Sequence, residues 1–357
     1  MTTNPLRVGV IGVGMFACYF HVPQLRATGR ATIEAICRRN PERLAMASEY
    51  LGVERTFTDW RTMLDAVELD AVVVSTPHHQ HVEPSLAALE RGLHVLVDKP
   101  LALTSSEAWT LVDAARRNNR VLMVAYATRA EQGLRALKRR LDEGVIGEIR
   151  QISCAATTYR RWFWHAGTIP PDVFDVIRSV IPLPDTFHEG WLEWHRDPAQ
   201  MGGGAFPDLG VYLLDTVLWM AGAPPVAVAA FTEKDGLPVE CFVSAQARLA
   251  NGALLSLTFA DAAPQSVVSG ERQLMIIGER GTIMDDHEGQ FWLHQGGERT
   301  LLPADAPETT IGEAFVAAVV DGKANLSPGE QGAHVVDFME AMYRSAAEGR
   351  IIPIVVR

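Results

Sequence analysis

Through the first third of the chain, short apolar runs alternate with stretches of helical spacing. Val8, Val10 and Ile11 form the first run and Thr32–Cys37 the second, with a helical stretch between them. Further runs stand at Ala71–Ser75, His94–Val97 and Val121–Tyr126. Helices are predicted at Pro41–Leu51, Trp60–Val67, Val82–Arg91 and Ser105–Asn118. Runs apolar on both faces suit parallel strands covered by helices. Pro41 suits a first helical turn, and Gly92 closes the helix before it. The alternation predicts a doubly wound parallel sheet over residues 1–126.

The pattern changes after residue 126. Leu134–Glu143 predicts a helix. Strands are then predicted at Ile149–Thr157, Val226–Thr232, Val239–Leu249, Ala253–Ala260, Arg272–Ile277 and Gly289–Leu293. Asn251-Gly252 marks a hairpin. Helix Gly329–Glu348 and a return strand Ile351–Val355 complete the pattern. Residues 127–357 are expected to form an α/β domain with an open, mainly antiparallel sheet and helices on one face. The uncovered face is expected to bind a second copy, giving a homodimer or homotetramer.

Composition adds exclusions. The 357 residues are 48% hydrophobic with net charge −11, which argues against a nucleic-acid surface. No run of apolar residues is long enough to span a membrane, and the first residues lack the pattern of a signal peptide. Cys18, Cys37, Cys154 and Cys241 are scattered, as buried free thiols of a cytoplasmic protein would be.

Candidate chemistry gathers at the predicted strand ends. Gly12, Gly14 and Ala17 make G-x-G-x-x-A directly after the first strand, with Met15 and Phe16 in the same turn. Strand, turn, helix and second strand are the context a dinucleotide fingerprint needs. Cys37-Arg38-Arg39 follows the second strand, where an NAD site normally carries a carboxylate. Two guanidiniums suit a 2′-phosphate, so NADP is favoured, with NAD possible. The pair also reads as surface arginines opening the next helix. Ser75, Thr76, Pro77, His78 and His81 follow the third apolar run and are expected to contact the cofactor. Three histidines in HHxH suggest metal, but no acidic or Cys ligand is near in sequence, and no metal is assigned. Asp98-Lys99-Pro100 follows the next strand; a lysine there can hydrogen-bond a substrate hydroxyl.

In GGGAFPDLGVYLLD, Asp208, Tyr212 and Asp215 stand at helical spacing on one predicted face, after a pliable glycine approach. Asp208 falls near the helix start, and Tyr212 can give or take a proton if a cation lies close. Between Tyr159 and His195 lie Trp162, Trp164, Trp191 and Trp194, interleaved with His165, His188 and His195 and with Arg160, Arg161 and Arg196. Aromatic faces stack on cyclic substrates. The stretch equally suits a loop packed on its own small core or on a neighbouring subunit.

Taken together, the motifs resemble the Gfo/Idh/MocA family of glucose–fructose oxidoreductase, inositol dehydrogenase and rhizopine-catabolism proteins. The resemblance rests on GVIGVGMFA at 9–17, the stretch 75–102 ending in DKPLA, GVIGEI at 144–149, residues 202–215, and SAAEGRIIPI at 345–354. It implies a Rossmann domain joined to an open-sheet domain. It also implies hydride transfer between NAD(P) and a secondary alcohol or ketone on a sugar or cyclitol. Lys99 matches the family's lysine and Asp208 its substrate-binding aspartate; Asp98 and Lys99 also border the cofactor. Arg129, Trp162 and Trp164 are expected to join Lys99, Asp208 and Tyr212 around the substrate. Three positions depart from the pattern: Asp98 replaces Glu, Tyr212 stands where His is commoner, and His78 where many members have Asn. Tyr212 is thus expected to take the acid/base role that Tyr has in some members. A nucleotide-sensing regulator without turnover and an NAD-dependent glycosidase are the alternatives.

Overall fold

A computed structural model describes residues 4–158, 160–164, 193–261, 271–286 and 288–357, with Asp175, Ser179 and Phe187; of Arg161, Trp162 and Glu271 only the backbone is described. The chain forms two compact units. The first comprises Met1–Tyr126, Gly167–Gly202 and Thr310–Ala333, and the second Ala127–Ala166, Gly203–Thr309 and His334–Arg357.

The first unit is built on β1 (Leu6–Ile11), β2 (Ala31–Cys37), β3 (Thr56–Phe57), β4 (Ala71–Val74), β5 (His94–Val97) and β6 (Leu122–Val124). Their order is β3-β2-β1-β4-β5-β6, and every pair is parallel. The order reverses beside β1, where a doubly wound sheet opens its ligand crevice. Val8 and Val10 of β1 and all of Ala71–Val74 are fully buried, so these strands are apolar on both faces. Local chemistry sets the helix starts. The side chains of Asn40 and Asp59 each accept the N–H three residues on, both at 2.9 Å, and Thr104 and Glu107 form a capping box.

Thr310–Ala333 also belongs to the first unit. The reason is packing. Helix Ile311–Val320 lies on helix Val22–Ala27, where the Gly312 N–H donates to Gln24 at 3.0 Å. A Cβ on Gly312 would stand 2.7 Å from Gln24 Cβ. The Val124 N–H also donates to Ser327 O at 2.9 Å.

The second unit holds a nine-stranded sheet of β7 (Ile149–Thr157), β8 (Pro225–Glu233), β9 (Phe242–Leu249), β10 (Leu254–Ala260), β11 (Glu271–Gly278), β12 (Thr282–Asp285), β13 (Phe291–Gln295), β14 (Glu298–Leu302) and β15 (Ile352–Pro353). The order is β14-β13-β12-β11-β7-β10-β9-β8-β15. β7 and β10 pair in parallel and the other neighbours antiparallel, so the sheet is mixed. Alternation is clear in β9: Val243, Ala245, Ala247 and Leu249 are buried, while Ser244, Gln246 and Arg248 are exposed. Helix Val211–Ala221 packs on β7. Three strands, β3, β12 and β14, have no counterpart in the sequence pattern. β14 is an edge strand with almost no buried residue, so it needs no apolar alternation.

Candidate functional site

In the first unit the carboxyl ends of β1, β2, β4 and β5 carry the expected motifs. Gly12 and Val13 donate their N–H groups to Cys37 O at 2.9 and 3.1 Å, which ties the loop to the end of β2. Gly12 has φ +85°, and a Cβ there would lie 2.7 Å from the Ser75 carbonyl. Any other residue would be strained and would push β1 from β4. Above Gly14 the space is open, since a Cβ would meet nothing nearer than Gly12 O at 3.9 Å. Thr76 Oγ1, at the end of β4, is buried without a hydrogen-bond partner among the described residues. A tight turn, an approachable backbone and an unpaired hydroxyl fit a dinucleotide phosphate group.

Arg38 lies against this loop. Its Nη1 donates to Val13 O at 3.1 Å, and its guanidinium stands 4.5 Å from the centre of the Phe187 ring. Burial, with help from Arg43, pulls its pKa down to about 10. Arg39 is exposed.

Lys99 is buried directly after β5, and the Lys99–Pro100 peptide is cis. Its two neighbours are both held. Asp98 Oδ1 lies 2.7 Å from His21 Nε2, and Oδ2 accepts from Ser75 Oγ. Burial alone would raise the Asp98 carboxyl, but His21, with its charge and hydrogen bond, and Ser75 outweigh it and hold the pKa near about 2. Pro100 O lies 2.8 Å from His81 Nδ1, and His81 Nε2 lies 2.9 Å from Thr76 O. Burial lowers the His81 pKa against the pull of Asp98 and the two carbonyls.

Both ring nitrogens of His81 lie within hydrogen-bond distance of backbone carbonyls, one at the end of β4 and one after β5, so the ring braces these two strand ends. Both oxygens of Asp98 are likewise engaged within the fold. His78 turns away from His81's partners: its Nδ1 lies 3.0 Å from Met201 O, and its ring meets Trp194 edge-on at 4.9 Å.

In the second unit the glycine-rich stretch enters a π turn, Phe206–Gly210, before helix Val211–Ala221. The extra residue breaks α spacing between Asp208 and Tyr212, and π turns recur at functional sites. Asp208 and Asp215 serve different ion pairs rather than one common face. Arg160 Nη2 lies 2.8 Å from Asp208 Oδ2 and 2.7 Å from Asp261 Oδ2. Asp261 also accepts from Arg160 Nε at 3.0 Å, from Trp164 Nε1 at 2.6 Å and from Thr158. Against the cost of burial, the two carboxylates raise the Arg160 pKa. Asp215 forms a fully buried bidentate pair with Arg129, at 2.6 and 2.8 Å. Tyr212 is half-buried.

Arg129 and Trp164, expected beside the substrate, are both engaged within the unit. Arg129 is 1% exposed and bound to Asp215, while Trp164 is fully buried and bound to Asp261. Both stabilise the unit from inside. Tyr159, His165, His188, Trp191 and the side chains of Arg161 and Trp162 lie outside the described residues.

The glycines before Asp208 are there for contact, not pliability. A Cβ on Gly203 would stand 2.0 Å from Tyr343 Oη, and one on Gly204 would stand 2.6 Å from Glu240. Glu240 Oε1 accepts from Gly204 N–H at 3.0 Å, Phe206 N–H at 3.2 Å and Tyr343 Oη at 2.7 Å. Burial raises the Glu240 carboxyl above its ordinary range despite these donors.

Sequence reasoning missed His21, Arg160 as a partner of Asp208, Asp261, Glu240 and Tyr343. Only His21 left a signal: it falls among the buried positions Ala17, Cys18, Val22 and Leu25 of one helix face. The others are joined across long sequence separations.

Residues 6–126 match an oxidoreductase family with an NAD-binding Rossmann fold, and residues 138–355 match that family's C-terminal alpha/beta domain. Levoglucosan dehydrogenase of Pseudarthrobacter phenanthrenivorans is 29% identical over 224 residues, covering 61% of this chain and 51% of the relative. A dTDP-3,4-didehydro-2,6-dideoxy-alpha-D-glucose 3-reductase of Streptomyces antibioticus is 28% identical over 334 residues, 92% of each chain. Among solved structures, a levoglucosan dehydrogenase complex with NADH superposes with TM-score 0.82 at 22% identity, covering 99% of this chain and 100% of that one. That likeness shows the fold. No helix among the described residues is long and apolar enough to cross a membrane.

Proposed function

The chain belongs to the Gfo/Idh/MocA oxidoreductase family, and we propose that it is an NADP-preferring member acting on a cyclic substrate. The reaction is hydride transfer between the nicotinamide and a secondary alcohol or ketone on a sugar, cyclitol or related ring. The observation that carries the reading is Lys99, a buried cation at the carboxyl end of β5, fixed between a braced Asp98 and a braced Pro100. Burying an ammonium is costly, and a site that does so has a use for the charge.

NADP, when bound, supplies the nicotinamide C4 that accepts or gives hydride. Gly12–Ala17 receive its phosphates, and Arg38 its 2′-phosphate. Lys99 polarises the substrate oxygen, and in the oxidation direction Tyr212 takes the hydroxyl proton. Asp208 holds a neighbouring hydroxyl and fixes the reacting geometry. Sugar-acting relatives support the substrate class.

The first test is a fluorescence titration with NADPH and with NADH, followed by turnover on a panel of sugars and cyclitols. Lys99→Ala and Tyr212→Phe are each expected to lower turnover by about a hundredfold or more while dinucleotide binding survives. Normal turnover in both variants refutes the assignment. Binding of neither nucleotide would favour a non-catalytic protein of the same fold.

A further inference from the structure

We propose that Glu240 is a positioning residue for Asp208, acting through the backbone of the turn that carries it. The inference rests on the reading of Asp208 as the group that holds a substrate hydroxyl. Asp208 sits in the π turn Phe206–Gly210, at the head of helix Val211–Ala221. The first N–H groups of such a segment have no acceptor within it. Ala205, the residue before the turn, has no polar side chain to supply one. Glu240 supplies it from a distant part of the chain, and three successive N–H groups converge on it. Gly204 and Phe206 donate to its Oε1 at 3.0 and 3.2 Å, and Ala205 between them donates to its backbone oxygen at 3.0 Å. Glu240 is 6% exposed. Its carboxyl is held in turn by Tyr343, on helix Gly329–Glu348, whose Oη donates to the same Oε1 at 2.7 Å.

The approach is a close one. A Cβ on Gly204 would stand 2.6 Å from both the backbone oxygen and Oε2 of Glu240, so only glycine at 204 lets Glu240 reach the turn. The clamp ends at the Phe206 N–H, and Asp208 is two residues on. Pro207 stands between them, and its ring locks φ. Little freedom is left between the fixed amide and the Asp208 backbone. The side chain is oriented separately, by Arg160 Nη2 at 2.8 Å from Oδ2. Glu240 thus sets where Asp208 stands, and Arg160 how its carboxylate points. Without Glu240, three N–H groups at the start of the turn must find other acceptors, and the turn shifts with them. A displacement of about 1 Å is enough to slow a positioned reaction about a hundredfold.

Hydrogen exchange read by peptide mass spectrometry tests the clamp without substrate. Glu240→Ala is expected to speed exchange in peptides spanning residues 204–210 about tenfold or more. Glu240→Gln is expected to recover most of the protection, because all three donors to the carboxyl fall on one oxygen, which an amide also offers. A double-mutant cycle, on a sugar or cyclitol that the wild type turns over, tests the effect on Asp208. Glu240→Ala is expected to lower kcat/KM about tenfold to a hundredfold with dinucleotide affinity unchanged, and to add nothing in the Asp208→Ala background. Glu240→Asp, one methylene short of the amides, is expected to follow the alanine variant and stands in for it if that variant does not fold. Unchanged exchange, or a loss of kcat/KM that recurs in full without Asp208, overturns the proposal and leaves Glu240 a role in stability alone. Failure of Asp208 as the hydroxyl-holding group shows separately, as normal kcat/KM of Asp208→Ala.

Discussion

Arg160 joins Asp208 to Asp261: one guanidinium nitrogen, Nη2, lies 2.8 Å from the first carboxylate and 2.7 Å from the second. Asp261 is fully buried, whereas Asp208 keeps a small exposed fraction. The cation thus anchors an accessible carboxylate to a hidden one.

Replacing Arg160 removes the guanidinium that joins the two carboxylates. Arg160→Ala is expected to destabilise the protein by about 3 kcal/mol, the low end for breaking a buried pair, since the arginine is partly exposed. Arg160→Lys keeps the charge but loses the fork that spans both partners, so it recovers only part. Urea denaturation of both variants checks this. A loss below about 0.5 kcal/mol in Arg160→Ala would reduce the contact to a surface pair.

Cofactor choice is expected to follow Arg38. Arg38→Ala removes a charge-assisted contact to a 2′-phosphate, lowering NADPH affinity about tenfold to a hundredfold. NADH affinity is expected to change little. The ratio of the two dissociation constants, from nicotinamide fluorescence, is the measurement. An unchanged ratio would remove Arg38 as the phosphate reader.

Asp98 makes stability depend on acid pH with a defined sign. Its folded pKa, near about 2, lies below the usual unfolded value of about 3.9. A depressed carboxyl contributes its stability above the unfolded value and loses it as pH falls through the folded one. Wild type is therefore expected to exceed Asp98→Asn by about 2 kcal/mol at neutral pH, and the gap to close between about pH 4 and 2. Denaturation curves of both proteins at several pH values test it. A gap independent of pH would assign the effect to shape rather than charge.

The glycine approach to Asp208 is expected to tolerate no side chain. Gly203 has φ +144° and stands against Tyr343, so Gly203→Ala adds backbone strain to overlap. A loss of about 3 kcal/mol or more is expected. Tyr343→Phe removes one of the donors to Glu240, at an expected cost of about 1–2 kcal/mol. Thermal unfolding of the two variants checks both. A neutral Gly203→Ala would restore the view of these glycines as a pliable hinge.

What the sequence by itself determined is periodic or local. Parallel strands buried on both faces announce themselves as apolar runs, so β5 at His94–Val97 and helix Pro41–Leu51 are legible to the residue. The G-x-G-x-x-A turn is legible because its chemistry is local, as is the lysine that follows a strand. The edge strand β14 left no trace, because a strand with no buried face imposes no alternation.

Only the tertiary structure decided what the polar residues do. Sequence spacing set Asp208 and Asp215 on one face, but a π turn and two distant arginines gave them separate partners. Arg129 and Trp164 carry the chemistry of ligand contacts, yet each is buried on an aspartate. His81, expected at the cofactor, has its ring between two backbone carbonyls, while His21 went unread and holds Asp98. The physical reason is that burial and pairing are properties of neighbours 77 or 86 residues away, as for His21 with Asp98 and Arg129 with Asp215. A polar side chain's role is fixed by which partner the fold brings to it, and no local pattern encodes that partner.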